Sequence, residues 1–245
     1  MNQLKSNKIL TVFAGPNGSG KTTEYKKSLF KEIYGVYVNA DEIEKEIVEN
    51  GFLSLKKYDI KINKKELVDF FKKSGLFNRI KEDFEEKNFF IERDLLFYNK
   101  EKINSYHASI ISDFIRNKII INGKNLCFET VLSAKEKINF FKESKKLQYR
   151  NTLIYIATDN PKINIERVEN RYLNGGHNVP KDKIISRYYK SLDNVKEILK
   201  YIDCAFFLDN SGNESIVIAK YEKQQVKNTW EIYKDIPDWL NKIIS

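Results

Sequence analysis

Nothing at the amino terminus reads as a cleavable apolar leader, since the first ten residues are MNQLKSNKIL. Nowhere does the chain approach the roughly 20 apolar residues that a membrane span requires. These absences predict a soluble cytoplasmic protein with no membrane partner. Cysteine is scarce: Cys127 and Cys204 are the only two, and both fall inside apolar runs, LCFE and DCAFFL. A small buried hydrophobe in each place is the expectation, with no disulfide and no metal-ligand role. No internal repeat and no low-complexity linker interrupts the 245 residues, and 41% apolar content is enough for a sizeable core, so the chain reads as one globular unit.

Arginine is also in short supply. The net charge is +9, carried mostly by lysines scattered along helical stretches that also hold many acids. That pattern describes solvated helix faces rather than a nucleic-acid footprint. Of only seven arginines, three, Arg167, Arg171 and Arg187, fall in one short segment. A chain that otherwise uses lysine calls there for the planar, forked guanidinium.

Short runs rich in β-branched and aromatic residues, KILTVFA, GVYVNA, NLCFETV, TLIYIAT and CAFFLD, alternate with helical stretches. The alternation predicts an α/β fold with a parallel sheet sandwiched by helices. Tyr25, Leu29 and Ile33 recur every four residues in the first helical stretch; Ile138, Phe141 and Leu147 line a later one, with Ser133 and Glu136 forming a capping-box pattern at its start. Residues 50–122 break the rhythm and form an insertion between the second and third core strands. Within it LKKYDIKINKKELVDFFKKSGLF predicts a short strand and a helix, and SYHASIISDFIRNKIIINGK a longer helix ending near Gly123, with Ile110, Ile111, Phe114 and Ile115 on one side. The core then spans about residues 8–49 and 123–212, followed by a tail over 213–245.

Gly15, Pro16, Asn17, Gly18, Ser19, Gly20, Lys21 and Thr22 match G-x-x-x-x-G-K-[ST] in full, after one predicted strand and before a predicted helix, with Thr23 next. Glycines let successive N–H groups turn around a β-phosphate; Lys21 is the residue to reach the β- and γ-phosphates, and the Thr22 hydroxyl the ligand for Mg²⁺. The pattern predicts a P-loop NTPase or kinase binding ATP or GTP. Ligands of an open parallel sheet gather at the carboxyl ends of its strands. Asn39 and Asp41 stand after the second strand, and Glu129 and Thr130 after the third. Asp41 is either a general base for a substrate hydroxyl or a helix cap before EIEKEIV; Glu129 is positioned to hold Mg²⁺ through water or to bind the acceptor.

Arg167 and Arg171 lie four apart, on one helical face, and the break GGHNVP lets the next helix return Arg187 toward the same space. Two or three guanidinium groups there would clamp the charge developing on a γ-phosphoryl group, against the plainer alternative of salt bridges with Glu166, Glu169 or Asp182. His177 is open to a loop hydrogen bond or a phosphate contact.

GPNGSGKTT, VNADEI, FETVLS, RVENRYLNGGHNVPKDKIISRYYKSLDN and FLDNS, in this order, resemble the zeta toxin family of P-loop kinases, in particular its compact bacterial branch once labelled predicted ABC-type ATPases. The resemblance covers the core and leaves the insertion and the tail outside. With the whole chain read as a single P-loop kinase domain over residues 1–245, the resemblance implies a kinase phosphorylating the sugar of a UDP-activated amino sugar and restrained by a small antitoxin protein. Lys21 and Thr22 match the family's phosphate-loop pair, Asp41 its proposed base and Arg171 its first clamping arginine. The second such arginine aligns with His177, leaving Arg167 or Arg187 to substitute, and the family's EGT stands here as ETV after Phe128. Two other functions compete: a polynucleotide or nucleotide kinase using the basic insertion, and a nucleotide-gated interaction module that hydrolyses slowly. Phe70, Phe71, Phe89 and Phe90 of the insertion read as core pairs rather than as a stacking platform for bases.

Overall fold

The computed structural model describes residues 8–27, 34–175, 179–224 and 228–244. Along them run β1 (Ile9–Ala14), α1 (Lys21–Lys27), β2 (Val36–Val38), α2 (Ala40–Asn50), β3 (Phe52–Ser54), α3 (Lys64–Lys73), β4 (Phe89–Glu92), β5 (Leu95–Tyr98) and α4 (Ser105–Ile121). There follow β6 (Leu126–Thr130), α5 (Glu136–Lys146), β7 (Arg150–Ala157), α6 (Pro161–Leu173), α7 (Lys181–Ile198), β8 (Cys204–Asp209), β9 (Ile216–Glu222), β10 (Thr229–Ile232) and α8 (Asp238–Ile244). The backbone gathers into two compact units, residues 1–35 with 127–245 and residues 36–126.

In the first unit the sheet order is β10-β9-β8-β7-β1-β6. β1 pairs parallel with β7, and β7 parallel with β8, in a register that puts Ala14 beside Tyr155 and Ala157 beside Asp209. The chain therefore leaves β1, β7 and β8 at one edge of the sheet, where an α/β fold builds its sites. β1 is buried from Leu10 to Ala14, as a strand covered on both faces must be. The tail extends the sheet: β9 pairs antiparallel with β8, and β10 antiparallel with β9. Trp239 of α8 is fully buried, 5.9 Å from the Tyr155 ring.

Tyr25 of α1 meets Phe13 of β1 edge-on at 5.6 Å, the packing expected of that helix; Leu29 and Ile33 lie outside the described residues. In α5, Ile138 and Phe141 are buried and Leu147 is half-buried. The capping box at Ser133 and Glu136 does not form. The residue preceding the helix is Lys135, without a side-chain cap. The chain leaves β6 through Leu132 in the left-handed region, φ 57°, and enters α5 on backbone turns from Ala134 and Lys135 to Lys137 and Ile138, so the turn takes the place of the hydroxyl cap. Both cysteines are free and buried, and burial raises both thiols, which leaves them unreactive.

The unit of residues 36–126 carries a three-stranded antiparallel sheet, order β3-β5-β4, beside α2, α3 and α4. Where the sequence pattern predicted one short strand among the helices of the insertion, three strands form. LKKYDIKIN holds a 3₁₀ turn at Lys56–Tyr58, not a strand; the strand is β3, just before it. α4 forms as expected, capped by the Asn104 side chain, which accepts from the backbone N–H groups of Tyr106 and His107. Ile110, Ile111, Phe114 and Ile115 are all buried on it. The phenylalanine pairs divide: Phe71 and Phe89 are core, and Phe70 packs on Phe114 at 5.3 Å, whereas Phe90 is 51% exposed and stacks on Phe97 at 4.6 Å. Strand alternation sends Phe89 and Phe90 to opposite faces, which adjacency in sequence concealed.

His107 is fully buried between Phe71 and Tyr98, with ring centroids 6.2 and 5.7 Å away, and neither ring nitrogen has a hydrogen-bond partner among the described residues. Burial holds its pKa below the ordinary value, only partly opposed by the Asp83 carboxylate. The unfolded chain therefore takes up a proton at a pH where the folded chain does not, and stability falls as pH drops through about 6.5. Urea unfolding at pH 7.5 and 5.5 checks this: the wild type should lose more stability between the two than His107→Phe, and equal losses would contradict it.

Candidate functional site

The phosphate loop begins where β1 ends. Gly15 donates its N–H to the Thr130 carbonyl at the end of β6, 3.2 Å, and the Ser19 N–H closes a turn onto Pro16 at 3.3 Å. Glycine is obligatory at three loop positions, Gly18 among them, with φ 73° and a Cβ that would lie 2.7 Å from the Asn164 carbonyl oxygen. Gly15 has φ 150°, and a Cβ there would lie 2.0 Å from the Ile156 carbonyl oxygen; Gly20 has φ 97°, and a Cβ would lie 2.3 Å from Asn210 Nδ2. The neighbouring strands β7 and β8 thus crowd the loop from the protein side.

Lys21 Nζ donates to the carbonyls of Gly15 at 2.9 Å and Pro16 at 2.8 Å, so the ammonium lies across the mouth of the loop. The Thr22 hydroxyl donates to Glu129 Oε2 at 2.8 Å. A threonine oxygen and a carboxylate in direct contact form the oxygen-only donor set that Mg²⁺ accepts, one or two protein oxygens with the remainder left to water and phosphate. Ser19 is fully buried, and neither its hydroxyl nor the Asn17 Oδ1 has a hydrogen-bond partner among the described residues. A tight glycine loop that added Cβ atoms would not fit, beside a lysine and a threonine–glutamate oxygen pair, fits a bound phosphate chain and its metal ion.

Thr130 accepts the Leu132 N–H at 3.1 Å through its hydroxyl, shaping the left-handed turn after β6. In the unit of residues 36–126, Asn39 is the N-cap of α2: its Oδ1 accepts from the Asp41 N–H at 2.8 Å and its Nδ2 donates to the Tyr37 hydroxyl at 2.9 Å. The cap is thus Asn39, because the helix starts at Ala40. Asp41 falls in the first turn, and its carboxylate is exposed with no hydrogen bond or ion pair among the described residues.

The arginines separate. Arg167 is held by two carbonyls of the loop after β8, donating from Nη1 to Asn210 at 2.7 Å and from Nη2 to Gly212 at 3.0 Å. That is a strap on the chain rather than a free clamp, and it departs from the expectation because two carbonyls without helix or sheet partners lie within reach of the fork. Arg171 is exposed and Arg187 half-buried, and neither guanidinium group has a hydrogen bond or ion pair among the described residues. The anticipated salt bridge to Glu169 is made by Lys181, at 2.8 Å. His177 lies outside the described residues.

Sequence reasoning missed two asparagines. Asn164, inside α6, donates from Nδ2 to the Asn17 carbonyl at 2.6 Å and accepts the Thr158 hydroxyl on Oδ1 at 2.5 Å; Asn210, after β8, donates from Nδ2 to the Ser19 carbonyl at 2.8 Å. A fully buried asparagine in a helix interior, a poor place for that residue, is the signal that could have drawn attention to Asn164. At the ends of β7 and β8, Asp209 accepts from the Ser211 hydroxyl at 2.8 Å, and burial together with the Asp209 carboxylate raises the pKa of Asp159.

Residues 98–216 match the family model described as Zeta toxin, a span that includes Glu129, Thr130, Arg167, Arg171 and Arg187 and leaves the phosphate loop outside. No curated protein matches the chain. Among solved structures it is similar to an AvrRxo1-ORF1:AvrRxo1-ORF2 complex with sulphate ions, at 14% identity and TM-score 0.52, covering 87% of this chain and 58% of that one. The same complex with ATP gives 13% identity and TM-score 0.53 over the same shares. A structure from the PezAT chromosomal toxin–antitoxin system of Streptococcus pneumoniae is 17% identical, with TM-score 0.49 over 83% of this chain and 68% of that one. This chain therefore spans less than two thirds of the length of the AvrRxo1 chains, and at such identities the likeness is one of fold. The fold is that of a P-loop kinase, and the family that the chain resembles, in the match over residues 98–216 and in the order of its motifs, is zeta toxin.

Proposed function

We propose that the protein is a Mg²⁺-dependent phosphotransferase that moves the γ-phosphate of ATP, or of GTP, to a hydroxyl of a small molecule, and that the whole chain acts as one kinase domain. The observation that carries this reading is the Thr22–Glu129 contact at 2.8 Å beside a loop that Lys21 closes. Thr22 and Glu129 would hold the metal ion, and Lys21 would leave the Gly15 and Pro16 carbonyls for the β- and γ-phosphates. When bound, Mg²⁺ supplies charge neutralisation on those phosphates.

The rest of the chemistry falls to the chain's own groups. Asp41 would accept the proton of the attacking hydroxyl; in support, Asn39 has taken over the capping role and left that carboxylate without a competing bond among the described residues. Arg171, with Arg187, would offset the negative charge that grows on the transferring group, since both guanidinium groups lack a described partner. Asn39, Thr130 and His177 would line the acceptor. The zeta toxin resemblance points to a UDP-activated amino sugar as that acceptor and to a small antitoxin protein as a partner. The AvrRxo1-ORF1 chain is, in its own structures, in complex with AvrRxo1-ORF2.

Radiolabelled ATP incubated with Mg²⁺ and a panel of UDP-sugars tests the reading. Label should pass to UDP-N-acetylglucosamine or a close relative, and Lys21→Ala should lower kcat/KM by about 100-fold or more. Asp41→Asn should lower kcat by roughly 100-fold or more with little change in the KM for ATP. Transfer to none of the panel, with wild type and Asp41→Asn indistinguishable in ATP turnover, would remove the phosphotransferase reading. Glu129→Gln keeps the shape and removes the charge, so the Mg²⁺ concentration for half-maximal activity should rise about tenfold; an unchanged Mg²⁺ dependence would take Glu129 out of the metal site.

A further inference from the structure

Asn17 and Ser19 share a circumstance that the phosphate-loop pattern does not specify. Each turns its carbonyl to a side-chain amide from outside the loop, Asn17 to Asn164 of α6 and Ser19 to Asn210 after β8, at 2.6 and 2.8 Å. The described peptide bonds are all trans, and in a trans peptide the N–H points opposite to the C=O. Fixing the Asn17 carbonyl outward therefore fixes the Gly18 N–H inward, and fixing the Ser19 carbonyl outward does the same for the Gly20 N–H. Those two N–H groups therefore point away from α6 and from the chain after β8.

Each amide is itself held. The Asn164 Oδ1 accepts from the Thr158 hydroxyl, so the Nδ2 end must be the one facing Asn17. Thr158 and Asn164 are both fully buried, which leaves that orientation no competing water. Asn210 is held through its backbone: its N–H donates to Ala157 at 2.8 Å, and its carbonyl accepts from Arg167 at 2.7 Å, while Arg167 also grips Gly212. Asn164 and Arg167 lie three residues apart and Arg171 four further on, so one stripe of α6 carries both supports of the loop and then the arginine whose guanidinium group has no described partner.

We propose that Asn164 and Asn210, the latter steadied by Arg167, are positioning residues for the nucleotide: they pre-orient the Gly18 and Gly20 N–H groups toward the β- and γ-phosphates. The inference rests on the nucleotide-binding part of the function proposed above and does not depend on the acceptor. Without the amides each peptide plane is free to flip, and a carbonyl oxygen would then meet the phosphate in place of an N–H.

Asn164→Asp and Asn210→Asp replace the donating nitrogen by an oxygen with almost no change of shape. The experiment is calorimetric titration of the full chain with MgATP and, separately, with AMP, which lacks the β- and γ-phosphates, with thermal unfolding followed in parallel. Each variant should bind MgATP about tenfold or more weakly, as expected for losing a hydrogen bond to a charged group, and AMP with unchanged affinity. A merely structural role would weaken both nucleotides together. Should either aspartate variant fail to fold, Arg167→Gln, which acts on Asn210 from the protein side, should give a smaller loss of the same phosphate-selective kind. MgATP affinity at the wild-type level in the folded variants, with Lys21→Ala abolishing binding, would overturn the positioning role alone. Unchanged affinity in Lys21→Ala as well would overturn the nucleotide site and this inference with it.

Discussion

Two carbonyls that cannot turn inward are the constraint on which the phosphate loop depends. A glycine-rich loop is free to adopt many conformations, and that freedom works against any one arrangement of its N–H groups. Here the freedom is removed from outside. β7 fills the space beside Gly15 with the Ile156 carbonyl, and the chain after β8 fills the space beside Gly20 with Asn210. The two asparagine amides then choose which way the peptide planes face. A loop built this way has met the ordering cost before a ligand arrives, the condition for electrostatic catalysis by fixed donors.

The same economy appears where the helices start. Asn39 caps α2 and Asn104 caps α4, each through a side-chain oxygen. With Asn39 in that role the Asp41 carboxylate has no structural duty in its own turn, and a carboxylate of that kind is available for chemistry. The Thr22–Glu129 bond is the counterpart in the other unit, because it joins the first turn of α1 to the end of β6 through two oxygens suited to a hard cation.

Much of this was legible in the chain. The five core strands read from KILTVFA, GVYVNA, NLCFETV, TLIYIAT and CAFFLD correspond to β1, β2, β6, β7 and β8, because buried strands leave continuous apolar runs. The phosphate loop was legible because its residue types are forced by backbone geometry. The hairpin of β4 and β5 was not, since its turn at Arg93, φ 53°, lacks the glycine or asparagine that marks such turns. β9 and β10 are solvated at Ile216, Val217 and Ile232, so their apolar pattern looked like a tail. Ser133 and Glu136 had the right spacing for a cap, and the turn at Leu132 displaced it. Arg167 was read by its charge, whereas its position is set by carbonyls, which no sequence displays. Asn164 and Asn210 escaped for the same reason: their partners are backbone atoms 147 and 191 residues away in the chain.

The central claim is that the Gly18 and Gly20 N–H groups are held toward a phosphate chain before it binds. Amide proton shifts of these two glycines in isotope-labelled protein, followed as MgADP is added, test it most directly. Both resonances should move strongly downfield while the other described glycines outside the loop stay near their starting positions. Shifts at Gly18 and Gly20 no larger than at Gly51 or Gly212, with MgADP at saturating concentration, would contradict the account.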